Sequence, residues 1–116
     1  INIVQESKMK KIINHALLMF LLFVSKASFA ADTYISGKLV DITSVQQGLL
    51  IRIEGYQVPT KCPNPHNWGW MLIPEENKTM ISVALAMWTQ GKTNATIYIS
   101  GTKIGYCQVV QYDPHH

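Results

Sequence analysis

Residues 75–100 read EENKTMISVALAMWTQGKTNATIYIS, and this stretch decides the fold. Met80, Val83, Ala84, Met87 and Trp88 recur at helical spacing, with Ile81 and Leu85 widening the apolar stripe. Glu75, Glu76 and Asn77 give the start acid and capping character, and Gly91 stands where a left-handed C-cap belongs. Past Gly91-Lys92 the period changes to two: Ala95, Ile97 and Ile99 alternate with Thr96, Tyr98 and Ser100. One core-facing helix therefore runs straight into a strand. The stripe is wide, and Ala84 and Ala86 admit a close neighbour, so part of the helix is expected to bury against another subunit.

Upstream, Tyr34 to Ile42 is rich in β-formers, with Gly37 marking a bulge or a close approach. Gln46-Gln47-Gly48 makes a turn, and Leu49 to Ile53 reads as a half-buried strand. Residues 55–65 form a loop in which Pro59, Pro63 and Pro65 block regular ladders around Cys62. Trp68 to Ile73 is a short strand stopped by Pro74. Downstream, Gly101 and Gly105 frame a turn, and Tyr106 to Tyr112 is the last strand, carrying Cys107. The order β-β-β-α-β-β predicts a mainly β fold with one α-helix. We expect a small, OB-like, partly open β-barrel with the helix packed across it.

The N-terminal thirty residues read as an address. Residues 1–8 look like translated upstream sequence, and residues 9–30 have the three parts of a secretory signal peptide: Met9-Lys10-Lys11, an apolar Ile12 to Val24, and Ser28-Phe29-Ala30. Cleavage is expected after Ala30, leaving residues 31–116 as one secreted or periplasmic domain. The apolar run is too short to span about 30 Å of hydrocarbon, so no stable membrane insertion is expected. Four of the ten basic residues and one of the seven acidic ones lie in this segment, leaving six of each (10 − 4 and 7 − 1) and no net charge with histidines neutral. No cation cluster remains for nucleic acid. Export would oxidise Cys62 and Cys107 to a disulfide. Metal binding is the competing use of the pair, but His66 alone is near in sequence, and His115-His116 sit on a tail expected to fray.

Several landmarks stand in a telling order: Asp32-x-x-x-Ser36-Gly37, Ile53-Glu54-Gly55, Cys62, Trp68-Gly69, a helix ending Thr89-Gln90-Gly91, and Ile97-Tyr98. Across residues 32–100 the chain resembles the receptor-binding B subunits of the subtilase cytotoxin and typhoid toxin group. That resemblance implies an OB-like barrel, a homo-oligomer such as a five-fold ring, an exported enzymatic A subunit as partner, and a shallow pocket for sialylated glycan ends. By matching position it implies Asp32, Ser36 and Tyr98 as glycan contacts. A Ser hydroxyl can hold a carboxylate, an Asp can accept from sugar hydroxyls, and a Tyr offers an apolar face and a donor. The chain departs from the group at Arg52, where those subunits carry an additional cysteine.

Other readings of the same residues stand beside these. Asp32 also reads as a solvated tail carboxylate, and Ser36-Gly37 and Tyr98 as ordinary strand positions. Trp68 and Trp70 alternate around Gly69; one is expected in the core, and Trp70 is retained as a candidate sugar contact. The alternative function is a secreted or periplasmic protein-binding domain, an inhibitor or adaptor contacting its partner through Trp70 or the Pro63–Pro65 loop. No catalytic residues, cofactor or metal are expected, because the adjacent acids Glu75 and Glu76 diverge on a helix and oxidised cysteines are not nucleophiles.

Overall fold

A computed structural model describes residues 31–115. The segment read as upstream sequence and signal peptide lies outside the described residues. The elements are β1 (Tyr34–Val45), β2 (Gly48–Ile53), β3 (Trp70–Pro74), α1 (Lys78–Thr89), β4 (Asn94–Lys103) and β5 (Tyr106–Pro114). The strands close into a ring in the order β1-β2-β3-β5-β4. The chain is thus mainly β with one helix, and its barrel is OB-like.

One strand serves two neighbours. The N-terminal half of β1 pairs with β4, from Tyr34↔Tyr98 to Lys38↔Asn94, and its C-terminal half pairs with β2, from Leu39↔Ile53 to Val45↔Gly48. The register slips between Leu39 and Asp41, where a bulge lets the strand turn the barrel's corner. Gly37 is a close-approach point: an added β-carbon would sit 2.6 Å from Ile53 Cγ2. The bulge itself falls three residues later. β3 and β5 run parallel and share only Met71↔Cys107 and Leu72↔Gln108, so the expected partly open barrel is instead closed, by a short seam.

Inward alternation builds the core from Ile35 and Leu39 of β1, Leu49, Ile51 and Ile53 of β2, Met71 and Ile73 of β3, Ile97 and Ile99 of β4, and Val109 of β5. The helix covers one end. Ala84 alone of its residues is fully buried, while Met80, Val83, Met87 and Trp88 pack partly against the core. Leu85 stays exposed, and with Ile81 it lines a groove against Ile42, Val45 and Leu49.

Local details depart from expectation in four places. The helix starts only at Lys78, Asn77 makes no side-chain cap, and Glu75 and Glu76 belong to the preceding turn. There the Glu75 N–H donates to Gln47 O across to the β1–β2 turn, and the Asn77 N–H donates to Pro74 O. Gly101 lies inside β4 at a register slip between Ile99 and Thr102, and Ile104-Gly105 alone make the hairpin turn. Strand β3 begins at Trp70, leaving Trp68 in the loop, and neither tryptophan enters the core. The helix end is as read: Gly91 has φ +72°, its N–H donates to Trp88 O, and the Lys92 N–H donates to Met87 O.

Candidate functional site

The β1–β4 pairing gathers one set of polar and aromatic side chains on the barrel's outer surface. Ile35 and Ile97 point inward, so Tyr34, Ser36, Thr96 and Tyr98 point outward. The Tyr34 and Tyr98 rings lie 5.6 Å apart, tilted by 38°. Ser36 Oγ is 2.7 Å from Thr96 Oγ1, which is itself 2.7 Å from His115 Nε2. Asp113 Oδ2 stands 4.0 Å from the same nitrogen.

This hydroxyl relay has a direction set by the imidazole. When Nε2 lacks a proton, Ser36 donates to Thr96 and Thr96 donates to His115, leaving Ser36 to present lone pairs. When Nε2 carries a proton, in the Nε2–H tautomer or the imidazolium, it donates to Thr96, Thr96 donates to Ser36, and the Ser36 proton is free for a ligand carboxylate. Thr96 is only 7% exposed, so both of its hydrogen bonds matter for its burial. His115 was expected on a frayed tail. Instead its backbone N–H donates to Asn94 O at 2.7 Å and its ring ends the relay. The period-two pattern of the last strand, carried past Tyr112, was the one signal that could have found it.

Ser36 and Tyr98 therefore share a face, but the other two candidates do not join them in direct contact. The Asp32 carboxylate accepts from Thr60 Oγ1 at 2.7 Å, and its backbone carbonyl accepts from the Lys61 N–H. That ties it to the loop carrying Cys62. Trp70 belongs to a second cluster, on the outer surface of β2 and β3.

There the Arg52 guanidinium lies between two rings, 4.0 Å from the centroid of Tyr56 and 4.2 Å from that of Trp70. Its Nη2 donates to Asp41 Oδ2 at 2.6 Å, and Nη1 to the Trp68 carbonyl at 3.4 Å. Its Nε is buried without a partner. Each cation–π contact contributes about 0.5–2 kcal/mol, more as water is excluded, which offsets that orphaned donor. Arg52, Tyr56 and Asp41 were not foreseen as a unit, because β1, β2 and the following loop meet only through the sheet.

The loop from 54 to 69 holds this cluster by unusual backbone. Tyr56, Asn64, His66 and Asn67 all have positive φ, between 45° and 58°. Asparagine tolerates that region, but for Tyr56 and His66 it costs about 1–2 kcal/mol each. Gly69, at φ +76°, lets the Tyr56 backbone press against it, and its N–H donates to Asn64 Oδ1 at 2.7 Å. The His66 and Trp68 ring centroids lie 4.7 Å apart, with the planes tilted by 36°. The Cys62–Cys107 disulfide pins the loop to the start of β5. That bond indicates an oxidising, non-cytoplasmic environment. Both cysteines are thereby withdrawn from metal binding.

Two groups titrate away from their ordinary values. Burial pushes the Tyr112 phenol up, and its hydroxyl is buried with no hydrogen-bond partner. A backbone hydrogen bond, helped by Lys103, lowers Glu76. Among the described residues no three His, Cys, Asp or Glu side chains gather as metal ligands, and no helix is long and apolar enough to cross a membrane.

The fold and its two surfaces define a disulfide-stapled OB-like barrel with an outward polar–aromatic face on β1–β4 and an arginine–aromatic stack on β2–β3. The chain matches no family model, and comparison with curated proteins and with solved structures gave no match.

Proposed function

We propose that this chain is an exported, non-catalytic carbohydrate-binding subunit, similar to toxin B subunits, that takes sialylated or related glycans on the outer face of β1 and β4. The observation that carries the reading is that Ser36 and Tyr98, 62 positions apart, meet on one exposed face with Tyr34 and the Thr96–His115 relay. In this reading Ser36 donates to the sugar carboxylate when His115 Nε2 is the donor to Thr96, and Tyr98 with Tyr34 covers an apolar sugar face. Asp32, held by Thr60, accepts from sugar hydroxyls at the rim. The half-exposed side of α1 supports assembly as a homo-oligomer, including a five-fold ring that carries an exported enzymatic subunit.

The test uses the protein recovered from the bacterial envelope, sized by light scattering and then applied to a glycan array. An oligomer that binds sialylated glycans, and loses at least about tenfold in affinity on Ser36→Ala, bears the reading out. Binding to no glycan, or affinity unchanged in Ser36→Ala, refutes it.

A further inference from the structure

We propose a site for a short aliphatic carboxylate in the cleft between the start of α1 and β5, with the carboxylate held by the first helical N–H groups and Tyr112. It shares no residue with the β1–β4 glycan face and does not rest on the reading of that face.

The helix opens with donors that nothing in the fold takes up. Asn77 makes no side-chain cap, and the first paired N–H is that of Ile81, which donates to Asn77 O. The N–H groups of Lys78, Thr79 and Met80 therefore have no partner among the described residues. Water alone could meet them, but the facing strand carries another such donor. Tyr112 is only 7% exposed, and its hydroxyl is buried with no hydrogen-bond partner. Both elements line one cleft of about 480 Å³, with Lys78, Thr79, Met80 and Val83 on the α1 side and Val110 and Tyr112 on the β5 side. A buried hydroxyl costs about 1–3 kcal/mol until an acceptor meets it. Burial also pushes the Tyr112 phenol up, so it keeps its proton at neutral pH and remains a donor.

Charge and shape narrow the ligand. All of these unpartnered groups are donors, which calls for acceptor oxygens. The helix N-terminus favours an anion, and Lys78 adds a cation that makes no ion pair among the described residues. Glu76 lines the same cleft, but its carboxylate pairs with Lys103 at 3.4 Å, so one negative charge is accommodated and a dianion is disfavoured. Met80, Val83 and the exposed Val110 supply an apolar side for a stem of a few methylenes. A short-chain monocarboxylate meets both demands. Its neutral amide lacks the charge, and inorganic phosphate lacks the stem.

The test uses the full oxidised protein, labelled with nitrogen-15, at about pH 7, where a carboxylate is ionised. Hexanoate, hexanamide and inorganic phosphate are each added to about 50 mM, the range in which so small a ligand binds. The backbone amide signals of Lys78, Thr79 and Met80 should shift and saturate with hexanoate, and bind hexanamide and phosphate at least about tenfold more weakly. Tyr112→Phe loses only an unpartnered hydroxyl, so it should stay folded and weaken hexanoate at least about fivefold. Lys78→Gln, at an exposed position, should weaken it at least about twofold. No saturating shift at residues 78–80 with hexanoate, equal binding of hexanamide, or unchanged affinity in Tyr112→Phe overturns the proposal. Ser36→Ala should leave hexanoate binding unchanged; a loss there would put the ligand on the β1–β4 face instead and equally overturn it. Failure of this site is thus read separately from failure of the glycan face.

Discussion

Gly69→Ala isolates how the β2–β3 loop is held. Gly69, Gly91 and Gly101 share nearly the same backbone, with φ of +76°, +72° and +72°. A β-carbon in that region costs about 1 kcal/mol whatever surrounds it. At Gly91 and Gly101 it would meet nothing within 4 Å. At Gly69 it would lie 2.6 Å from the Tyr56 carbonyl oxygen and 2.7 Å from its Cα. Those are backbone atoms, so no rotamer change relieves the clash, and overpacking of this kind adds about 2 kcal/mol. We therefore expect Gly91→Ala and Gly101→Ala to lose about 1 kcal/mol each and Gly69→Ala about 3 kcal/mol. Urea unfolding of the oxidised protein, followed by tryptophan fluorescence at matched slope, measures all three. Displacing Tyr56 also opens the Arg52 stack, so native Trp70 emission should change in Gly69→Ala alone. Equal losses at the three glycines would refute the reasoning, because the close approach would then carry no cost.

The remaining expectations concern the staple and the core. Replacing both Cys62 and Cys107 by Ala releases a link spanning 45 positions, which the chain-entropy relation converts to about 4 kcal/mol; a loss under about 1 kcal/mol in urea unfolding would contradict that assignment. Tyr112→Phe removes a buried hydroxyl with no partner and should be neutral or stabilising by up to about 1 kcal/mol, whereas a loss above that would reveal a hydrogen bond at the hydroxyl. Burial raises the folded Tyr112 above its ordinary 10.0, so the folded state keeps that proton longer than the unfolded chain does. Its contribution is full below pH 10 and is lost as pH rises through the folded value. Stability should thus decline less steeply above pH 10 in Tyr112→Phe than in the parent, and parallel declines would sink the point.

The helix-to-strand step at 75–100 and the cysteine pair were legible from the chain alone. Helical and twofold periods are local, Gly91 announces its left-handed cap, and two cysteines leave one intramolecular pairing. The candidate sites were legible only in part. Ser36 and Tyr98 could be named singly, but their sharing a face depends on the β1–β4 register, and the role of His115 depends on β5 running two residues beyond its apolar pattern. Trp70 was read as a candidate sugar contact, and the structure sets it against Arg52.

What the sequence by itself determined is the element order, the β-rich class and the identity of the staple, since backbone propensity and side-chain period act over a few residues. What only the tertiary structure decided is which distant residues meet. A barrel brings β1, β2 and β3 side by side, so Asp41, Arg52 and Trp70 become cross-strand neighbours although 29 positions separate the first from the last. No local pattern encodes such a meeting; it follows from register, from the bulge after Leu39, and from a glycine at 69 that lets one backbone lie against another.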